Sequence, residues 1–318
     1  MVAPKAPRKG SLQYWPRKRG AKFLPSVNWD VIPSNNTKHL KGFIAYKTGM
    51  VSVEIKDSTP DSMTKDKKII IPATILECPP MRIFSVRFYK YSKVAREVLA
   101  ENPDKELKRK ITFPKKFSHK LESVKPEEYD DIRVIVYSQV KKTKIKKTPD
   151  MSEIALTGAN VSEKLAWVKE HLGKEISIAD VFENNSLMDS RGLTKGKGFQ
   201  GPVKRFGVKL RFHKTEKGQR KVGSIGPWHP TGVTFRVPQS GQMGMYTRLK
   251  YNNKIISVLK SSEKPVTNLK NYGNINTDYI VVDGSVQGSA KRPLLITAPL
   301  RATKKQAKKK FELLRIIQ

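Results

Sequence analysis

Residues 191–248 read RGLTKGKGFQGPVKRFGVKLRFHKTEKGQRKVGSIGPWHPTGVTFRVPQSGQMGMYTR, and no chain can fold this stretch into an ordinary core. Its first half carries Arg191, Lys195, Lys197, Lys204, Arg205, Lys209, Arg211, Lys214, Lys217, Arg220 and Lys221 against a single acid, Glu216. Phe199, Phe206, Phe212 and Trp228 are interleaved with the charges, and glycines recur throughout. Neither a helical nor an alternating apolar period runs through it, so it has no face to bury. A polyanionic partner supplies both the missing counter-charge and the missing packing, and folded RNA supplies unpaired bases as well.

The rest of the composition agrees. In 318 residues, 63 Lys and Arg stand against 28 Asp and Glu, a formal charge of +35. Such an excess opposes compaction unless an anion neutralises it. The candidate anions are nucleic-acid phosphate and an anionic membrane, and no apolar run approaches the ~18 residues that a spanning helix needs. MVAPKAPRKG at the start contains no apolar stretch, so no secretory signal is expected. One cysteine, Cys78, excludes an internal disulfide and a cysteine-cluster zinc site, and reads as a buried thiol. The expectation is an intracellular protein that binds polyanion.

Residues 1–36 form a basic arm. Pro4, Pro7, Pro16 and Pro25 oppose regular helix, and Tyr14 and Trp15 lie within the charges, available to stack on bases. Residues 42–55 and 68–77 are rich in β-branched residues and read as strands, as does the alternating segment 82–91. The segment 92–173 reads as an inserted α/β unit, with a short helix at 92–100 and a strand at 131–137. Lys141, Lys142, Lys144, Lys146 and Lys147 then form a run that is either a solvated loop or a phosphate contact. Asn160 and Glu163 open a helix that carries Leu165, Trp167, Val168 and Leu172 and stops at Gly173. A helical turn is expected at 177–183 and strands at 247–260, 279–286 and 292–298. The fold class is therefore mainly β: a barrel from 37–91, 174–190 and 247–300, the insert, a basic extension at 191–246, and a basic tail at 301–318 whose apolar end reads as a docking helix.

Motifs for chemistry fail on inspection. Gly196, Gly198 and Gly201 spell G-x-G-x-x-G, but the residues before and after read as neither strand nor helix, and no other kinase signature follows. His39, His119, His171, His213 and His229 lack metal-ligand spacing. No catalytic constellation, cofactor or small-molecule substrate is expected. The residues placed against RNA are Arg8, Lys9, Arg17, Lys18, Arg19, Lys195, Lys197, Phe199, Lys204, Arg205, Arg211, Lys214, Arg220, Lys221, Trp228, His229, Gln242 and Arg248. Lysine and arginine give affinity and position, glycine allows close backbone approach, and each stacked aromatic is worth about 1–3 kcal/mol.

Longer strings carry a resemblance. GLTKGKGFQGPVKRFG at 192–207, RKVGSIGPWHP at 220–230 and SGQMGMYTR at 240–248 resemble the universal large-subunit ribosomal protein family conventionally numbered three. GSLQYWPRKRG at 10–20 is similar to that family's arm, and NYGNINTDYIVVDGSVQGSAKR at 271–292 to its last barrel strands. The chain length and the 92–173 insert are similar to archaeal members, or to a trimmed eukaryotic form. The resemblance implies a six-stranded barrel of the translation-protein type on the subunit surface. It also implies binding to large-subunit rRNA beside neighbouring ribosomal proteins, an early role in assembly, and an extension toward the peptidyl-transferase centre that influences tRNA accommodation. Trp228 matches the tip tryptophan, and Gln242 matches a glutamine methylated in some bacterial members, a modification not expected here. Val51, the Ser190-Arg191 pair and Phe206 depart from the family's usual residues.

Overall fold

The computed structural model describes residues 9–33, 37–114, 121–158 and 160–317; Arg8, expected on RNA, lies outside them. The chain forms two compact units, Met1–Lys22 with Leu193–Thr247, and Phe23–Gly192 with Arg248–Gln318.

The larger unit is built from β1 (Gly42–Asp57), β2 (Lys68–Glu77), β3 (Met81–Lys90), β4 (Lys93–Leu99), β5 (Asp131–Ser138), β6 (Met151–Ala155), helix α1 (Val161–His171) and β7 (Leu187–Leu193). The smaller unit contributes β8 (Phe199–Gln200), α2 (Pro202–Phe206) and β9 (Gly241–Gln242). The larger unit then resumes with β10 (Thr247–Leu259), β11 (Tyr279–Asp283), β12 (Pro293–Thr297), α3 (Lys304–Lys308) and β13 (Phe311–Ile317).

β1 organises the first sheet, whose order is β12-β7-β10-β11-β2-β1-β13 with β12 also on β1. The pairings therefore return on themselves through β1, β2, β11, β10, β7 and β12. β1 is long enough to serve two partners on one edge: Gly42–Tyr46 meets β12, and Ser52–Asp57 meets β13. Its first seven residues are buried without alternation. The start of β1, Phe43 to Tyr46, packs with residues of a second sheet, ordered β4-β3-β5-β6, while Val53 and Ile55 further along pack with Ala73, Ile75 and Tyr279. Phe43, Ile44, Val86, Phe88, Val134, Val136, Leu165 and Val168 share one apolar cluster, so the inserted segment shares the main core, while Phe84, Leu107 and Tyr137 form a small cluster of their own. Cys78 is buried within the main cluster, and burial pushes its thiol pKa well up.

Several expectations change here. The 92–100 segment is strand β4, not helix. Tyr91 and Ser92 turn the chain at φ 50° and 59°, and cross-strand pairing with β3 outweighs the helix propensity of Ala-Arg-Glu. β3 itself joins the second sheet rather than the first. Residues 177–183 form a turn in which Asp180 accepts from the Ser177 amide and hydroxyl. The apolar end of the tail is strand β13, because β1 beyond its β12 contact presents an open edge that only an extended segment can satisfy. α1 begins at Val161 as expected, but Asn160 donates to Glu163 Oε1 at 3.2 Å and does not cap the backbone. Trp167 is half-buried and clustered with His39 and His171, with ring centroids 5.5 and 4.3 Å away and the two histidines 6.5 Å apart.

Candidate nucleic-acid interface

The smaller unit is a clasp with a long free span. Where the chain leaves β7 it is laced to the returning strand. The Thr194 amide donates to Tyr246 O at 3.0 Å, Lys197 N to Met243 O at 2.9 Å, and Met243 N to Gly198 O at 2.8 Å. Phe199 then pairs with Gln242 and Gln200 with Gly241. Pro202 opens α2, where its missing N–H costs nothing, and Gly207 closes it at φ 63°.

Phe206 at the end of α2 is buried at 7% exposure. Arg17 and Arg205 stand over its ring at 4.9 and 5.2 Å, and Gly10 lies so close that a Cβ there would sit 2.5 Å from it. The arm is thereby part of the clasp. The Gly20 amide donates to Met245 O at 2.8 Å, and Trp15 packs against Phe235 with centroids 5.6 Å apart. Arg205 ties the return strand, donating from Nε to Gln242 O and from Nη1 to Gln239 O, both at 3.0 Å.

From 208 to 240 the chain has neither helix nor strand. Its few internal bonds are local. Arg211 donates from its amide to Gln219 O at 3.1 Å and from its guanidinium to Val222 O, and Thr215 Oγ1 donates to Phe212 O at 2.6 Å. Phe212 is 67% exposed and Trp228 83%. Lys209, Lys214, Lys217, Arg220 and Lys221 are exposed, and Glu216 forms no ion pair with any of them among the described residues. An extended polycation held at both ends and sparsely packed between them is a surface short of a partner.

The comparisons decide the family. A profile described as Ribosomal protein L3 matches residues 1–317. The chain belongs to the ribosomal protein L3 family. It is 42% identical over 310 residues to the large ribosomal subunit protein uL3 of Methanocaldococcus jannaschii, covering 93% of this chain and 91% of that one. The uL3 of Methanococcus vannielii is 41% identical over 308 residues, with 93% and 91% covered. That of Methanobrevibacter smithii is 38% identical over 322, with 96% and 95% covered. The ribosomal L3 family is structural, and an L3 chain is not an enzyme.

Within this L3-family chain the expected RNA residues divide by what they touch. Lys9, Lys18, Arg19, Lys195, Lys197, Lys204, Lys214, Arg220, Lys221, Phe199, Trp228 and His229 are exposed. Arg17, Arg205 and Arg211 donate to backbone carbonyls and hold the unit together. Gln242 donates from Nε2 to Met243 O and Gly244 O, both at 3.1 Å, so its amide is occupied inside the clasp. Arg248 is half-buried in the larger unit, with its carbonyl bonded by Gln287. Arg191 is also structural: its Nε donates to Thr297 Oγ1 at 3.2 Å, and burial lowers its pKa.

The lysine run at 141–147 is largely spent on the protein. Lys141 pairs with Glu106 at 3.2 Å, Lys142 with Glu175 at 2.7 Å, and Lys146 with Asp150. Sequence reasoning missed Phe206 as an anchor and Gly244 as a contact point; the regular Gly and aromatic spacing was the available signal. It also misjudged the setting of the G-x-G-x-x-G string, which does follow a strand and precede a helix. That helix is a single turn, and Gly196 faces Met245, where a Cβ would meet Cγ at 2.8 Å, so the string serves packing. Among the described residues no cluster of three His, Cys, Asp or Glu could hold a metal, and no helix is long and apolar enough to cross a membrane.

Proposed function

We propose that this chain is a structural constituent of the large ribosomal subunit in the cytoplasm, where it binds large-subunit rRNA beside neighbouring ribosomal proteins and acts early in assembly. Its returning sheet is a closed six-stranded barrel. The span from 208 to 240 is a probe inserted into folded rRNA toward the peptidyl-transferase centre, with Trp228 at its tip, where it tunes tRNA accommodation. The observation that carries this reading is the contrast inside one unit. Both ends of the span are fixed by hydrogen bonds and by Phe206, while the span keeps exposed cations and aromatics with little internal packing. Fixed ends set where the probe enters. Exposed aromatics such as Phe212 and Trp228 and exposed cations such as Lys214 and Arg220 supply stacking and phosphate contacts once it is inside.

The test is competition at moderately high salt among large-subunit rRNA, an equal mass of duplex DNA, and unrelated structured RNA. Counterion release weakens purely electrostatic binding steeply under those conditions. Retained preference for large-subunit rRNA supports the reading. Equal loss on all three leaves a general nucleic-acid condenser and overturns it.

A further inference from the structure

The larger unit has its own unspent charge. Residues 301–310 read RATKKQAKKK, with Arg301, Lys304, Lys305, Lys308, Lys309 and Lys310 and no acid. Unlike the run at 141–147, none of these cations is in an ion pair among the described residues. All are exposed except Lys309, which is half-buried over the Phe311 ring.

A solubilising tail would need no fixed backbone, yet this one is fixed. Asn252 Nδ2 donates to Arg301 O at 2.9 Å. Ser58 N donates to Lys310 O at 2.9 Å, and Lys310 N donates to Thr59 Oγ1 at 3.1 Å. Asn185 bonds both backbone groups of Phe311, at 3.1 and 2.8 Å. Ordering like charges side by side costs entropy and electrostatic energy together. Beneath them Lys254 is 2% exposed, and its ammonium donates to Ala307 O at 3.2 Å, with no carboxylate paired to it among the described residues. Burial and then the charges of Lys309 and Lys310 draw its pKa down to about 8. An anion above this row would relieve all of them. The segment has no aromatic residue, so it offers nothing for a base to stack on, and lysine binds phosphate as a point charge.

We propose that residues 301–310 form a second RNA contact, separate from the clasped span, which grips the phosphate backbone of a double-stranded rRNA segment without reading its sequence. This rests on the ribosomal reading above and adds a site and a ligand class to it. Double-stranded RNA is recognised through backbone and shape, which suits a rigid row of lysines lacking aromatics.

Acetylation of lysines in the full chain, free and bound to protein-free large-subunit rRNA, tests it. Lys304, Lys305, Lys308 and Lys310 are expected to react at least tenfold more slowly in the complex, while Lys144 and Lys147 keep their free rates. If Lys195 and Lys197 become protected and residues 304–310 do not, this inference is overturned and the ribosomal reading stands. If nothing is protected, both fail. Protection of 304–310 only in complete subunits would assign the face to a neighbouring protein and overturn the RNA contact.

A second measurement uses a ~20-base-pair RNA duplex. Joint replacement of Lys304, Lys305, Lys308 and Lys309 by Gln should make the slope of log affinity against log salt shallower by roughly 3–4. The same change at Lys105, Lys108, Lys144 and Lys147 should leave it nearly unaltered. Equal effects from both sets would reduce the site to diffuse charge and overturn the proposal.

Discussion

Gly244→Ala should open the clasp, and the structure sets the size of the effect. Gly244 lies at φ 75°, and a Cβ there would sit 2.0 Å from Lys195 O and 3.0 Å from Gly196 Cα. These are backbone atoms, so no side chain can swing away. Relief requires the two strands to part by about 1 Å, which takes hydrogen bonds of 2.8 and 2.9 Å between Met243 and Gly198 and between Lys197 and Met243 beyond bonding range. Two such bonds contribute about 1 kcal/mol each, and the left-handed backbone costs a non-glycine residue about 1 kcal/mol more. The sum, about 3 kcal/mol, is a roughly hundredfold change in opening. Hydrogen exchange read by mass spectrometry should show that acceleration at Lys197 and Met243, with β1 and β2 in the other unit unchanged. Gly198→Ala isolates the backbone term, since Gly198 has φ 65° and nothing within 4 Å of an added Cβ; about a fivefold acceleration is expected. Gly223→Ala meets open space and should change nothing. Equal acceleration from Gly244→Ala and Gly198→Ala would refute the steric argument, and so would unchanged exchange at Lys197.

Neighbouring cations should separate by role. Arg205→Met removes two bonds to carbonyls and should destabilise the clasp by roughly 2–3 kcal/mol in hydrogen exchange, while Lys204→Met should leave stability alone and lower the salt slope of rRNA binding by roughly 0.9. Similar stability losses in the two variants would contradict this division. Burial pushes the Asp57 carboxyl up, but hydrogen bonds from Thr59, Thr64 and Ser62 outweigh it and hold the pKa at about 2. A depressed carboxylate stabilises fully above its ordinary titration range, and that contribution fades as pH falls from there toward 2. Asp57→Asn should flatten this part of the acid-unfolding curve, and an unchanged slope would count against it. Trp228→Ala, at an 83% exposed position, should leave thermal stability and subunit assembly intact and slow tRNA accommodation; wild-type rates from purified mutant ribosomes would refute the tip assignment.

The basic glycine-rich stretch, the strands at 42–55 and 68–77, and the α1 helix were legible because composition and period act locally. Charge without an apolar face cannot make a core, β-branched runs favour pleated structure, and an i, i+3, i+7 spacing puts Leu165, Val168 and Leu172 on one side of a helix. Family strings were legible for the same reason, since order along the chain is all they require. What the sequence could not decide was which partner each segment meets. Residues 93–99 and 311–317 suit helix or strand by propensity, and they became strands because β3 and β1 offered edges to pair with. Lys204 and Arg205 are adjacent and carry the same charge, yet one points to solvent and the other holds two carbonyls. The lysines of 141–147 and 301–310 look alike in sequence, but only the first run lies within reach of Glu106, Glu175 and Asp150. Charge and propensity belong to a residue and are written in the chain. A hydrogen-bonding edge or a counter-ion a few ångströms away comes from residues distant in sequence, so only the folded structure decides whether a cation serves the protein or remains for RNA.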